Sequence, residues 1–173
     1  AALVSAVLFT QALKAEKAVQ STLAAQQILL DRGRTAEMMR LTLEQRVAQM
    51  FLVTLHGPQI TEAGRDFLQR WQPGGVVLFT SNTGTPSAVA SLTNAYQQAI
   101  TAAGGPPLLI AIDQEGGIVQ RLTDGFTAFP GPMIAAAAGP ETARRYGYTL
   151  ASELAAVGIN MNLAPVADLE TNL

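Results

Sequence analysis

The sequence predicts an α/β fold, and three observations carry the prediction. From residue 40 onward, short apolar runs of strand length alternate with longer stretches that have helical periodicity and helix caps. The short runs are apolar throughout rather than at every second residue, which marks strands buried on both faces of a parallel sheet built from βαβ units. Composition agrees: 49% of the 173 residues are hydrophobic and 14% are charged. That is enough apolar surface for one sizeable core and too little charge for a disordered chain.

The elements follow in order. "LTLEQRVAQMF" opens with a Thr–x–x–Gln pattern that suits a capping box, and Leu43, Val47 and Met50 recur at helical spacing. "FLVTL" reads as a buried strand, and "TEAGRDFLQRW" as the helix after it, capped by Thr61. "GGVVLF" is the second strand. "TPSAVASLTNAYQQAITAAG" is a helix with Thr85 as its cap, Pro86 in its first turn and Gly104 near its end. "LLIAID" is the third strand, "GPETARRYGYTLASELAAVG" holds a helix ending near Gly158, and "INMNLAPVAD" is a fourth strand-like segment. Pattern alone fits an open doubly wound sheet and part of a (β/α)8 barrel equally well; both place functional groups at the carboxyl ends of strands.

Residues 1–36 differ in kind. "AALVSAVLFT" is apolar but far shorter than the roughly 20 residues that span a bilayer, and an Ala-rich, helix-favouring stretch follows it. Two readings stand: a surface helix leading into the domain, or the remnant of an export or anchor segment. They leave the compartment open between cytoplasm and an extracytoplasmic, membrane-anchored place. The domain boundary is expected between 36 and 37, with residues 37–173 forming the α/β unit.

Several function classes are excluded. Net charge is −2 and the isoelectric point is near 5.3, which offers no electrostatic footprint for nucleic acid. The chain has no cysteine and one histidine, so disulfides, thiolate metal sites and histidine-rich metal clusters are absent. No G-x-G-x-x-G follows a strand and no P-loop lysine is present, which argues against a phosphate-bearing cofactor.

The strand ends supply the candidates: His56, Thr80–Asn82, Asp113–Glu115 and Asp168. His56 precedes Gly57–Pro58 and suits a turn. "FTSNTGTPS" is turn-rich, and Ser81 or Asn82 fits a wholly structural role there. Gly116 and Gly117 permit positive φ or close backbone approach. Asp113 ends a fully apolar strand, where partial desolvation makes a carboxylate a functional candidate; the alternative is an ion pair with Arg121 that fastens a loop. Two acids suggest glycoside hydrolysis. Asp113 and Glu115, however, stand only two residues apart and cannot flank a sugar ring at the roughly 5 Å or more that such a pair needs.

"LLIAIDQEGGIVQRL", then "GFTAFPGPM", then "ASELAAVGINMNLAPVADLETN" resemble the N-terminal half of the catalytic domain of glycoside hydrolase family 3, and "LTLEQRVAQMFLV" and "PGGVVLFTSN" resemble its opening strands. The likeness covers about residues 41 to 172. The D-Q-E-G-G form is nearer the bacterial β-N-acetylhexosaminidase branch than the β-glucosidase branch. The resemblance implies the first half of a (β/α)8 TIM-type barrel, preceded by an N-terminal helix and truncated after the fourth strand. It also implies a retaining hydrolase of terminal β-linked sugars that uses no metal or organic cofactor. Asp113 and Arg121 are then expected to bind the sugar. Glu115, Asp168 and His56 are expected to support loops or shape the pocket.

The same resemblance implies that the nucleophilic aspartate, the acid/base histidine and a Lys-His pair lie beyond Leu173. The remaining half of the barrel, in the same chain or a separate one, becomes the expected partner, and this chain alone is expected to be inactive. A β-glucosidase and a non-catalytic carbohydrate-binding protein are the alternatives. One departure stands out: the family pattern usually has arginine after the two glycines, and here the residue is Ile118.

Overall fold

The computed structural model describes residues 38–168 and the separate positions 17, 20, 23, 26, 27, 31, 33 and 36. The apolar run at residues 1–10 lies outside the described residues. The chain divides into two compact units, Ala1–Thr42 and Leu43–Leu173. In the first, the described positions from 17 to 38 are helical, and Gln27 Nε2 donates to Asp31 Oδ1 at 2.9 Å. Among the described residues, no helix is long and apolar enough to cross a membrane.

The second unit starts with α1 (Leu43–Ala48) and β1 (Leu52–Val53), followed by α2 (Glu62–Trp71), β2 (Gly75–Leu78) and a single 3-10 turn (Thr80–Asn82). Next come α3 (Pro86–Ala102), β3 (Leu109–Ile112), β4 (Gln114–Gly116) and β5 (Val119–Gln120), then α4 (Pro132–Ala137), α5 (Pro140–Ala156) and β6 (Met161–Asn162). Four strands form one parallel sheet in the order β1-β2-β3-β6. The order follows the chain without a reversal. Parallel neighbours need long crossovers, and α2, α3 and α5 provide them.

Caps set the helix starts. Thr61 Oγ1 accepts from Gly64 N at 3.0 Å, and Thr85 Oγ1 accepts from Ala88 N at 3.4 Å with Pro86 at the first helical position. The expected boundaries of both helices hold. The core lies between the sheet and the helices: Val76, Leu78, Ile110 and Ile112 of the central strands pack with Leu68, Val89, Leu92, Ile100 and Leu154. Each aliphatic side chain so buried contributes roughly 1.5–3 kcal/mol.

Three parts differ from expectation. "FLVTL" yields only a two-residue strand, because β1 pairs on one side alone. The expected strand at 159–168 keeps a two-residue backbone ladder, but side chains lengthen it. Asn160 Oδ1 accepts from Ile110 N at 2.8 Å and its Nδ2 donates to Leu108 O at 3.0 Å. Asn162 repeats the pattern two residues on, accepting from Gln114 N and donating to Gln114 O, both at 3.0 Å. Finally, the β4–β5 hairpin and α4 were not anticipated.

Candidate functional site

β3 is paired on both edges, by β2 and β6, and Ile110, Ala111 and Ile112 are fully buried. Its carboxyl end is therefore held rigidly, and Asp113 is the first residue past it. The Asn162 side chain bonds both polar groups of the Gln114 backbone, which fixes the peptide next to Asp113. The Asp113 carboxylate is 24% exposed and lies 3.4 Å from Arg121 Nη2.

Arg121 reaches Asp113 through a short antiparallel hairpin. β4 pairs with β5 in the register Gln114↔Gln120 and Gly116↔Val119, which leaves Glu115 as the extra residue of a β-bulge. Gly117 and Ile118 form the two-residue turn. The glycines are required: Gly116 has φ +87°, and a Cβ there would lie 2.3 Å from Pro130 O. Gly117, at φ +63°, donates its N–H to Phe129 O at 2.8 Å.

A buried amide closes the hairpin. Gln114 Oε1 accepts from Arg121 N at 2.8 Å and from Leu122 N at 3.0 Å, while its Nε2 donates to Leu122 O at 2.9 Å. Gln120 ties the same loop to the next segment, donating to Leu122 O and Thr127 O and accepting from Phe129 N at 3.0 Å. The Glu153 carboxylate of α5 accepts from both N and Oγ1 of Thr127. Gln114 and Gln120 thus supply hydrogen bonds that hold this loop.

The guanidinium of Arg121 stands 5.9 Å from the ring centre of Phe79, the residue after β2. Its Nε is buried without a hydrogen-bond partner among the described residues. The Asp113–Arg121 contact is long for a charge-assisted hydrogen bond, so both groups keep unused hydrogen-bonding capacity. An arrangement of one carboxylate and one guanidinium at a strand end can accept from and donate to the vicinal hydroxyls of a sugar.

The other candidates are placed as follows. Asn82 is buried and structural: its Nδ2 donates to Leu55 O at 2.7 Å and Gly57 O at 2.9 Å, and its Oδ1 accepts from Phe79 N at 3.0 Å. It binds the ends of β1 and β2 together. The carbonyls on either side of His56 are those two acceptors, and His56 itself is exposed. Glu115 and Asp168 line one cavity of about 890 Å³ with Phe129, Met133, Tyr146, Asn162 and Pro165. Asp113 and Arg121 are brought together; His56 joins neither group.

Gln114, Gln120, Asn160 and Asn162 were not singled out from the sequence. The available signal was an amide at or beside the end of an apolar strand, where a buried polar group must find partners.

The chain is 42% identical over 125 residues to a beta-hexosaminidase of Alkalilimnicola ehrlichii, a match that covers 68% of this chain and 35% of that protein. It is similar in structure to a glycoside hydrolase family 3 beta-N-acetylglucosaminidase from Paenibacillus sp. str. FPU-7, with a TM-score of 0.69 and 41% identity, over 72% of this chain and 24% of the other. It also matches NagZ from Neisseria gonorrhoeae, solved in complex with N-trifluoroacetyl-D-glucosamine, with a TM-score of 0.60 and 32% identity over 69% of this chain and 37% of that one. The chain thus spans about a third of the curated relative's length. Residues 42–173 match the glycosyl hydrolase family 3 N-terminal domain, and the chain belongs to glycosyl hydrolase family 3.

Proposed function

We propose that the full-length protein hydrolyses terminal β-linked N-acetylhexosamine residues with retention of configuration, and that this chain contributes part of the sugar-binding subsite. The observation that carries the reading is the Asp113–Arg121 pair at the end of the buried strand β3. Asp113 accepts hydrogen bonds from the sugar hydroxyls and Arg121 donates to the same ring. Such contacts tighten as the ring distorts toward an oxocarbenium-like transition state, so they accelerate the reaction rather than only hold the substrate. Glu115 and Asp168 shape the adjoining cavity, and His56 belongs to the loop that Asn82 fastens at Leu55 O and Gly57 O. The nucleophile and the acid/base group come from residues past 173, and no metal or organic cofactor takes part.

Residues 37–173 then form the first half of a (β/α)8 barrel, and residues 1–36 precede it in the chain. The unreversed strand order supports this reading over a doubly wound sheet, which needs a switch in strand order. So do the two sides of the sheet, where β1 and β6 have no further strand beside them among the described residues. Next to β1 an apolar cavity of about 550 Å³ is lined by Leu43, Val47, Phe51, Phe67 and Trp71, and at the β6 side lies the larger cavity. Surfaces of that kind suit packing against the remaining half of the barrel.

The test compares turnover of an aryl β-N-acetylglucosaminide and an aryl β-glucoside by the full-length protein. Faster hydrolysis of the N-acetylglucosaminide is expected, with none by residues 1–173 alone. Preference for the glucoside would make it a β-glucosidase, and no turnover of either would leave a carbohydrate-binding protein.

A further inference from the structure

The hairpin that leads to Arg121 rests on one short segment, Thr127–Phe129. Gly117 N donates to Phe129 O at 2.8 Å. Further along the hairpin, Gln120 Nε2 donates to Thr127 O at 2.9 Å, and Gln120 Oε1 accepts from Phe129 N at 3.0 Å. Arg121 is the next residue after Gln120, so its placement follows the placement of this segment.

The segment is in turn fastened to α5. The Glu153 carboxylate accepts from Thr127 N at 3.1 Å and from Thr127 Oγ1, two charge-assisted bonds to one residue. The Tyr146 ring meets Phe129 edge-on, with centroids 6.0 Å apart. Tyr146 and Glu153 are seven residues apart on α5, about two turns, and so share a face of that helix. Leu154, next to Glu153, and Val157, just past the helix end, are buried in the core. Contacts thus run from a helix seated in the core, through Glu153 and Thr127, to Gln120 and the clamp.

We infer that Glu153 is a positioning residue for the sugar clamp: through Thr127 and Gln120 it sets where Arg121 stands against the sugar. The inference rests on the glycosidase reading above. A misplacement of about 1 Å can cost as much as about 100-fold in rate. Gln114 still holds Arg121 N when Glu153 is removed, so the loss here is partial.

The test uses the full-length protein and an aryl β-N-acetylglucosaminide. It reads kcat/KM well below the unfolding temperature, where a purely structural loss leaves it unchanged. Glu153→Ala should lower kcat/KM about five- to tenfold. Glu153→Gln should stay within about twofold of the wild type. Its amide oxygen accepts from Thr127 N, and its amide N–H donates to the Thr127 hydroxyl, which turns to accept. Gln120→Ala should cost at least as much as Glu153→Ala, and adding Glu153→Ala to it should cost less than about twofold more, since both lie on one line of contacts. Unchanged kcat/KM in Glu153→Ala, or losses that multiply in the double variant, would overturn the inference and leave the glycosidase reading intact. Failure of the wild-type protein to hydrolyse the glycoside would remove that reading and this inference with it.

Discussion

The amides and the charged groups at the carboxyl ends of the strands are held in opposite ways. Asn82 and Gln114 are each 2% exposed, and each makes three hydrogen bonds of 2.7–3.0 Å to backbone groups. Asp113, next to Gln114 in the chain, and Arg121 meet at 3.4 Å, and each remains partly exposed. The difference separates two tasks. The amides spend three of their four hydrogen-bonding sites on fixing backbone, so that the loops leave the sheet at defined angles. The charges meet only loosely, which leaves hydrogen-bonding capacity that a tight salt bridge would take up.

The largest effect should come from breaking the first half of that division. Gln114→Ala removes three hydrogen bonds at once and leaves the N–H groups of Arg121 and Leu122 without their acceptor in a buried place. Unsatisfied buried groups cost about 1–3 kcal/mol each, so the full-length protein should lose about 3–4 kcal/mol in chemical denaturation. A loss below about 1 kcal/mol would show that the hairpin is held by other means. Asp113→Ala attacks the other half and should separate stability from activity. A partly exposed ion pair contributes only about 0–1 kcal/mol to folding, whereas loss of contacts that tighten in the transition state should reduce kcat/KM about 100-fold and raise KM. Unchanged kinetics would leave Asp113 with a purely structural role.

The same division explains what the sequence disclosed. Helix α2, helix α3 and the buried strands β2 and β3 were legible because their signals are local: Thr61, Thr85 and Pro86 act within one turn, and an apolar run is visible in itself. Asp113 and Arg121 stood out because a charge next to "LLIAI" is conspicuous. The amides did not, since a glutamine reads as an ordinary polar residue until its distant backbone partners are known. Gln114 bonds groups of Leu122 eight residues away, Asn160 bonds Ile110 of β3 from 50 residues away, and Asn162 bonds Gln114 of β4 from 48 residues away. The same tertiary bonds extend the two-residue β6 ladder through side chains. Two missed elements did have local signals. Gly117–Ile118 is a two-residue Gly-X turn of the type that joins hairpin strands, and Pro132 followed by an alanine run starts α4 as Pro86 starts α3.

Tyr96 gives the smallest effect and tests the rule from the core side. It is fully buried within the α3 face of the core, yet its hydroxyl has no hydrogen-bond partner among the described residues. Unlike Gln114, it carries a desolvation cost with no bond to offset it, so Tyr96→Phe should leave stability at pH 7 unchanged or raise it by up to about 1 kcal/mol. Burial also pushes the phenol from 10.0 up to about 12. At pH 11 the unfolded chain has then released a proton that the folded chain retains, and folding must take it up again. Stability is therefore full below about pH 10 and falls as the pH rises toward about 12, by roughly 1.4 kcal/mol per unit. The wild-type curve should drop relative to the Tyr96→Phe curve over that window alone. Parallel curves from pH 9 to pH 12 would mean that the hydroxyl finds a partner in solution, and Tyr96 would then obey the rule set by the amides.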